Sequence, residues 1–246
     1  MKLAISGKGG TGKTTLSAGL AQVFASEGYR VYAIDADPDA NLASMLGITE
    51  KVRPLIDLEE IIAERVGEKG GIFTLNPQVD DILENYAIQK GGINFLRMGS
   101  IKAASSACYC PENSFLRSII NSLVFSRDEV VIMDMGAGIE HLTRGTAAGV
   151  DWMLVVCEPS RISIETAEVI DGLVREAGVS KVGFIGNKIR SDRERTFLRE
   201  NLPGEILALV DYDDSLLERG LATAGKEDPP VLAEARTIFE ALTRDI

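Results

Sequence analysis

Compact apolar runs alternate along this chain with longer stretches whose apolar residues recur every three or four positions. Lys2–Ser6 has the length of a short strand, and Lys13–Glu27 carries Leu16, Leu20, Val23 and Phe24 at helical spacing before Gly28 ends it. Arg30–Ile34 supplies the next strand. Glu129–Met133, Trp152–Cys157 and Lys181–Ile185 are rich in β-branched residues and lack polar alternation, the pattern of strands buried on both faces of a parallel sheet. Helices are predicted over Asn113–Phe125, Arg161–Ala177, Asp192–Asn201 and Pro230–Thr243. The middle, Glu50–Ser106, is less regular. It suggests a helix around Leu58–Val66, strands near Ile72–Leu75 and Ile93–Arg97, and turns at Gly70-Gly71 and Gly91-Gly92. No linker divides the chain. The alternation predicts one α/β domain over residues 1–246, built on a single doubly wound, mostly parallel sheet flanked by helices.

Composition narrows the partners. The chain has 246 residues, 45% hydrophobic and 26% charged, which is enough to bury a sizeable core. Its net charge of −11 sets up a field that repels nucleic acid and anionic membranes, so neither is expected as a partner. The apolar run Leu3–Ile5 is too short for a signal peptide, and Trp152–Cys157 falls far below the roughly 20 residues that span a bilayer. A cytoplasmic protein is expected. Arg190–Glu200 is locally basic, but its acids are interleaved, as on a solvated helix face with i,i+4 pairs. Three cysteines without an export signal point to reduced thiols.

The most specific chemistry lies at the start. Gly7-Lys8-Gly9-Gly10-Thr11-Gly12-Lys13-Thr14 follows a strand, opens a helix and fits the phosphate-loop pattern without a gap. Its glycines let backbone N–H groups turn onto phosphate oxygens, and Lys13 reaches the β- and γ-phosphates. Thr14 offers a hydroxyl to Mg²⁺, and Thr15 completes the nucleotide-binding stretch. A Walker B carboxylate is expected at the end of a buried strand, where Asp134 binds Mg²⁺ through water. Gly136 and Gly138 beyond it allow backbone N–H groups near the γ-phosphate. Asp37-Pro38 suits a helix cap, and Asp35 supports the site from behind. Asn187, in Gly186–Arg190, is a candidate for the adenine base. Arg190 stands where GTP-binding N-K-x-D motifs carry aspartate, which favours ATP/ADP. His141, the only histidine, has no neighbouring ligands and suggests a structural residue.

Cys108 and Cys110 are less easily placed. They suit small, semi-buried residues, a redox pair closing a strained small ring, or a metal site. One C-x-C offers a soft divalent ion only two thiolates, and a two-fold dimer supplies four. Cys157, at the end of a buried strand, is expected in the core.

A second lysine inside the loop changes the picture. The pattern G-K-G-G-x-G-K-T, with Lys8, resembles the deviant Walker A loop of the MinD/ParA and nitrogenase-iron-protein class of P-loop NTPases (the SIMIBI class). Met1–Thr15, Arg97–Lys102, Cys108–Ser118 and Val130–Ala147 together resemble the CooC-type ATPases, nickel-insertion factors that mature carbon monoxide dehydrogenase. That resemblance implies a MinD-like fold and an ATP-dependent homodimer in which Lys8 reaches the partner's nucleotide. It implies that Asp37 positions the attacking water, and that Cys108 and Cys110 of both subunits bind Ni²⁺ or Zn²⁺. Carbon monoxide dehydrogenase is then the client, and the protein is a metallochaperone with ATP hydrolase activity. Two alternatives stand beside it. A nitrogenase-iron-protein-like electron donor would hold an iron–sulfur cluster on well-separated cysteines, and a MinD/ParA positioning switch would use a basic amphipathic anchor. The tail Val231–Ile246 is amphipathic but carries Glu234, Glu240 and Asp245, which suits a packed surface helix. No role is assigned to Glu50–Lys90.

Overall fold

The computed structural model describes residues 1–37, 39–67, 74, 77–99, 111–122, 128–136, 149–214 and 232–244. Eight strands form one sheet: β1 (Lys2–Ser6), β2 (Arg30–Ala36), β3 (Ile88–Lys90), β4 (Ile93–Arg97), β5 (Glu129–Met135), β6 (Trp152–Cys157), β7 (Lys181–Ile189) and β8 (Glu205–Asp211). Their spatial order is β3-β4-β2-β5-β1-β6-β7-β8, and every pairing is parallel except β3 with β4. The doubly wound α/β sheet expected from the apolar runs is therefore the observed one.

Burial explains why those runs show no polar alternation. Along β1, Leu3 and Ile5 enter one core while Ala4 enters the other; Leu154 and Val156 oppose Met153 and Val155 along β6 in the same way. Both faces are covered, so both residue sets must be apolar. On one face lie α1 (Lys13–Ser26), α2 (Leu42–Met45) and α8 (Leu232–Thr243). On the other lie α3 (Glu59–Arg65), α4 (Asp80–Tyr86), α5 (Pro111–Ser122), α6 (Arg161–Glu176) and α7 (Asp192–Asn201). The helix α1 is buried deeply because α8 packs outside it: Phe24 stacks edge-on against Phe239 at 4.8 Å and Tyr29 at 5.3 Å. Burying a ring such as Phe24 contributes about 2–3 kcal/mol, which fixes α1 and the loop at its start.

The differences from the sequence reading concern strand ends and edges. Three strands run further than their apolar cores: β2 to Ala36, β5 to Met135 and β7 to Ile189. Parallel pairing carries them on, with Asp35 opposite Asp134 in the β2–β5 register. Asp35, Asp134 and Asn187 are thus strand residues rather than loop residues. Strand β8 and helix α4 lie where no element was predicted, and β3 joins β4 through Gly91 (φ 57°) and Gly92 (φ 80°), a two-residue turn that needs left-handed backbone at both positions. The helix expected at Leu58–Val66 is α3. It packs with the preceding Leu55 and Leu58 and with α4 against Phe115, Leu116 and Ile119 of α5. The strand expected near Ile72–Leu75 falls, apart from Thr74, outside the described residues.

Candidate functional site

The loop between β1 and α1 sits at the carboxyl end of the sheet beside β5 and β6, where the connection from β1 runs to one side, toward β2, and that from β6 to the other, toward β7. That crevice is where open α/β sheets bind ligands. Gly7 has φ 144°, and a Cβ there would lie 2.3 Å from the Val156 carbonyl oxygen, so only glycine lets the loop pass over β6. Gly12 stands at the N-terminus of α1 with φ 97° and no side-chain cap, which leaves the first-turn N–H groups for a ligand.

Lys13 is buried, and its Nζ donates to the Lys8 carbonyl at 3.3 Å. The same carbonyl accepts from the Thr11 N–H at 3.3 Å and the Thr11 hydroxyl at 2.9 Å. The Lys8 side chain turns the other way and pairs with Glu158 at 3.4 Å.

Beneath the loop, β5 delivers Asp134 with no exposed surface. Its Oδ1 lies 3.0 Å from the Ser17 hydroxyl, while Oδ2 is buried and has no hydrogen-bond partner. Burial pushes its carboxyl up to about 6; the Thr14 and Ser17 hydroxyls oppose that rise, the Asp35 charge adds to it, and Lys13 opposes it. A buried carboxylate oxygen without a partner, next to a threonine hydroxyl, suits a hydrated divalent cation, so Thr14 and Asp134 fit Mg²⁺. Gly136 follows at the strand end, its carbonyl 3.5 Å from the Ser6 hydroxyl.

Asp35 proves to be the organiser of the segment after β2. Its Oδ1 accepts from the Asp37 N–H at 3.2 Å and its Oδ2 from the Leu42 N–H at 3.1 Å. Helix α2 begins at Leu42, so Asp35 satisfies its first N–H, and the capping role considered for Asp37 is not observed. The physical reason is reach: Asp37 lies too far upstream, and its Oδ1 instead accepts from the Asp39 N–H at 3.0 Å, closing a local turn. Burial raises the Asp35 carboxyl to about 6, against the pull of its two amide donors and of Arg97.

A cavity of about 480 Å³ collects most of these groups: Gly9, Gly10, Gly12, Lys13, Thr14, Thr15, Asp37 and Asn187 line it. Gly7, Lys8, Thr11, Asp134 and Gly136 are not among its lining residues. Asn187 spends its amide on the loop, with Nδ2 donating to the Thr11 carbonyl at 2.7 Å and Oδ1 accepting from the Lys188 N–H at 2.9 Å. Sequence reasoning passed over Ser17, Lys188, Tyr212 and Asp213. The last three line the cavity; Lys188 is the lysine of the Asn-Lys-x-Arg stretch, which was read for Asn187 and Arg190 alone. Arg190 turns away and lies 3.5 Å over the Tyr212 ring. Cys157 is fully buried, as expected, and burial pushes its thiol up to about 12. Cys108, Cys110, Gly138 and His141 lie outside the described residues. Among the described residues no group of three or more His, Cys, Asp or Glu could hold a metal ion, and no helix is long and apolar enough to cross a membrane.

Comparison with known proteins agrees with this arrangement. The chain is 40% identical over 225 residues to an uncharacterized ATP-binding protein, MJ0823, of Methanocaldococcus jannaschii, covering 89% of this chain and 88% of that one. It is also 40% identical over 224 residues to the carbon monoxide dehydrogenase accessory protein CooC of Rhodospirillum rubrum, covering 88% and 85%. The solved septum site-determining protein MinD from Pyrococcus horikoshii, complexed with Mg-ADP, superimposes with a TM-score of 0.68 at 22% identity, over 99% of this chain and 96% of that one. The profile of the CobQ/CobB/MinD/ParA nucleotide binding domain matches residues 2–223. A match over that much of the chain, on this sheet and around this loop, decides the family: the chain is an ATP-binding member of the CobQ/CobB/MinD/ParA nucleotide-binding family.

Proposed function

We propose that this protein is a CooC-type ATPase that carries nickel to carbon monoxide dehydrogenase during maturation of its metal cluster. The observation that carries this reading is the Cys108-x-Cys110 pair directly ahead of α5 in a chain 40% identical to a carbon monoxide dehydrogenase accessory protein. MJ0823, at the same identity, names no client, so the identity by itself does not make the distinction.

In this reading residues 1–246 form one ATPase domain, and two copies face each other across their phosphate loops. Lys13 leaves the Lys8 carbonyl for the β- and γ-phosphates of ATP. Thr14 and, through water, Asp134 hold Mg²⁺, which neutralises charge developing on the phosphates. Asp37 orients the attacking water, and hydrolysis gives ADP and phosphate. Lys8 exchanges Glu158 for the nucleotide of the partner subunit. The cysteine pairs of both subunits make a four-thiolate site for Ni²⁺, with Zn²⁺ as a competitor. Because ATP and metal both favour the dimer, each strengthens binding of the other, and hydrolysis releases the cargo.

Anaerobic Ni²⁺ titration of the reduced protein, with and without ATP, while molecular mass is followed, tests this. One metal per two chains, lost in a Cys108→Ala/Cys110→Ala variant and coupled to dimer formation, is the expected result. Dimerisation by ATP with no thiol-dependent metal would refute the nickel reading and leave a MinD/ParA-type switch.

A further inference from the structure

Helix α1 turns one stripe of side chains toward the sheet: Lys13, Leu16, Ser17, Leu20 and Phe24, at the three- and four-residue spacing of a helix face. Leu16, Leu20 and Phe24 belong to the core beneath it, and beyond Lys13 the other buried positions of α1 are apolar residues and Gly19. Ser17 is the exception. It has no exposed surface, yet it places a hydroxyl where alanine would suit the helix better. A hydroxyl buried that deeply calls for a hydrogen-bond partner.

Strand β5 supplies that partner. Val130 and Ile132 enter the same core as Leu16 and Leu20, and strand alternation carries Asp134 to the same face. The carboxylate on that face meets the hydroxyl of the stripe, with Ser17 Oγ 3.0 Å from Asp134 Oδ1. The Lys13 carbonyl, 2.9 Å away, competes for the single Ser17 proton, but it already serves the helical ladder of α1. The carboxylate has fewer choices, since its Oδ2 has no partner. Of the two hydroxyls beside Asp134, Thr14 is the one that fits Mg²⁺. Ser17, three residues further along α1 and fully buried, remains to hold Oδ1 when the cation is bound.

We infer that Ser17 is a positioning residue for the Mg²⁺ that accompanies the nucleotide: by donating to Oδ1 it fixes the rotation of the Asp134 carboxylate and leaves Oδ2 for the hydrated cation. Ser17 does not line the cavity, so it acts through Asp134. Groups that orient a metal-binding side chain govern metal affinity even though they never touch the ion. Loss of the hydroxyl lets the carboxylate turn, which weakens the hold on the cation and spares the contacts between loop and phosphate. This rests on Mg²⁺ and nucleotide binding at the loop and is independent of the nickel reading.

The test uses the full chain with Mn²⁺ as the probe. Mn²⁺ binding to the ADP complex is read by electron paramagnetic resonance, with Mg²⁺ as competitor, and ADP affinity in EDTA is measured by titration calorimetry. Ser17→Ala removes the donor with little change of shape. Ser17→Cys keeps a weaker donor in nearly the same volume. The Ala variant is expected to bind Mn²⁺ and Mg²⁺ about tenfold more weakly, with ADP affinity in EDTA within about twofold of wild type, and the Cys variant to fall between. ATP hydrolysis by the Ala variant is expected to recover when Mg²⁺ is raised about tenfold. Metal affinity in Ser17→Ala within about twofold of wild type overturns the inference and leaves the hydroxyl a partner of the Lys13 carbonyl alone. So does an equal loss of ADP affinity in EDTA, which marks a disturbed loop. A wild-type ADP complex that takes up no Mn²⁺ refutes the Mg²⁺ site itself, and this inference with it.

Discussion

Asp134 is a carboxylate whose place in the fold is costly without its ligand, and replacing it with asparagine measures that cost. Its folded value of about 6 lies about two units above the ordinary 3.8, which corresponds to about 3 kcal/mol of destabilisation at pH 7.5. The direction follows from proton binding: between the two values the folded chain holds a proton that the unfolded chain has released. Stability of the wild type therefore rises as pH falls through about 6 and gains nothing more from this group below about 4. Asp134→Asn keeps the shape and an acceptor for Ser17 while removing the charge. Without nucleotide or Mg²⁺, the variant is expected to be more stable at pH 7.5 by about 2–3 kcal/mol, a rise in Tm on the order of 6 °C. The advantage shrinks steadily in urea titrations from pH 7.5 to pH 4.5. Mg²⁺-dependent ATP hydrolysis falls at least a hundredfold in the same variant. An Asp134→Asn protein less stable than wild type at pH 7.5, or one whose advantage does not depend on pH, would show that burial does not dominate at this carboxylate.

Two further outcomes are expected. Glu158→Gln removes the partner that holds Lys8 at 3.4 Å; since both side chains are partly exposed, stability changes by less than about 1 kcal/mol. The freed lysine is expected to tighten ATP-dependent self-association up to about fivefold in analytical ultracentrifugation, and unchanged association would refute the latch. Cys157, buried with its thiol pushed up to about 12, stays unmodified by iodoacetamide in the folded protein and is alkylated only above the urea transition. Modification under native conditions would contradict its burial.

What the sequence by itself determined is whatever short-range chemistry dictates. Runs such as Trp152–Cys157 contain no polar position, so they fit only strands covered on both sides. Gly7–Thr14 demands a strand before it and a helix after it, which places the loop, Lys13 and Thr14 without coordinates. The Pro203-Gly204 turn ahead of Ile206–Val210 was an available sign of β8. Tertiary structure alone decided what each polar group at the strand ends does. Asp35 and Asp37 are two residues apart and chemically identical, yet Asp35 is drawn into the β2–β5 ladder opposite Asp134 and ties down both Asp37 and Leu42. Asn187 and Lys188 meet Thr11 and Gly10 from the far side of the chain, and the Asn-Lys-x-Arg stretch marked the nucleotide site without showing those partners. Periodicity records which face of an element is buried, whereas hydrogen-bond partners depend on which strands the topology makes neighbours. That is why the loop was legible as a motif, and the bonds to its carbonyls only as a structure.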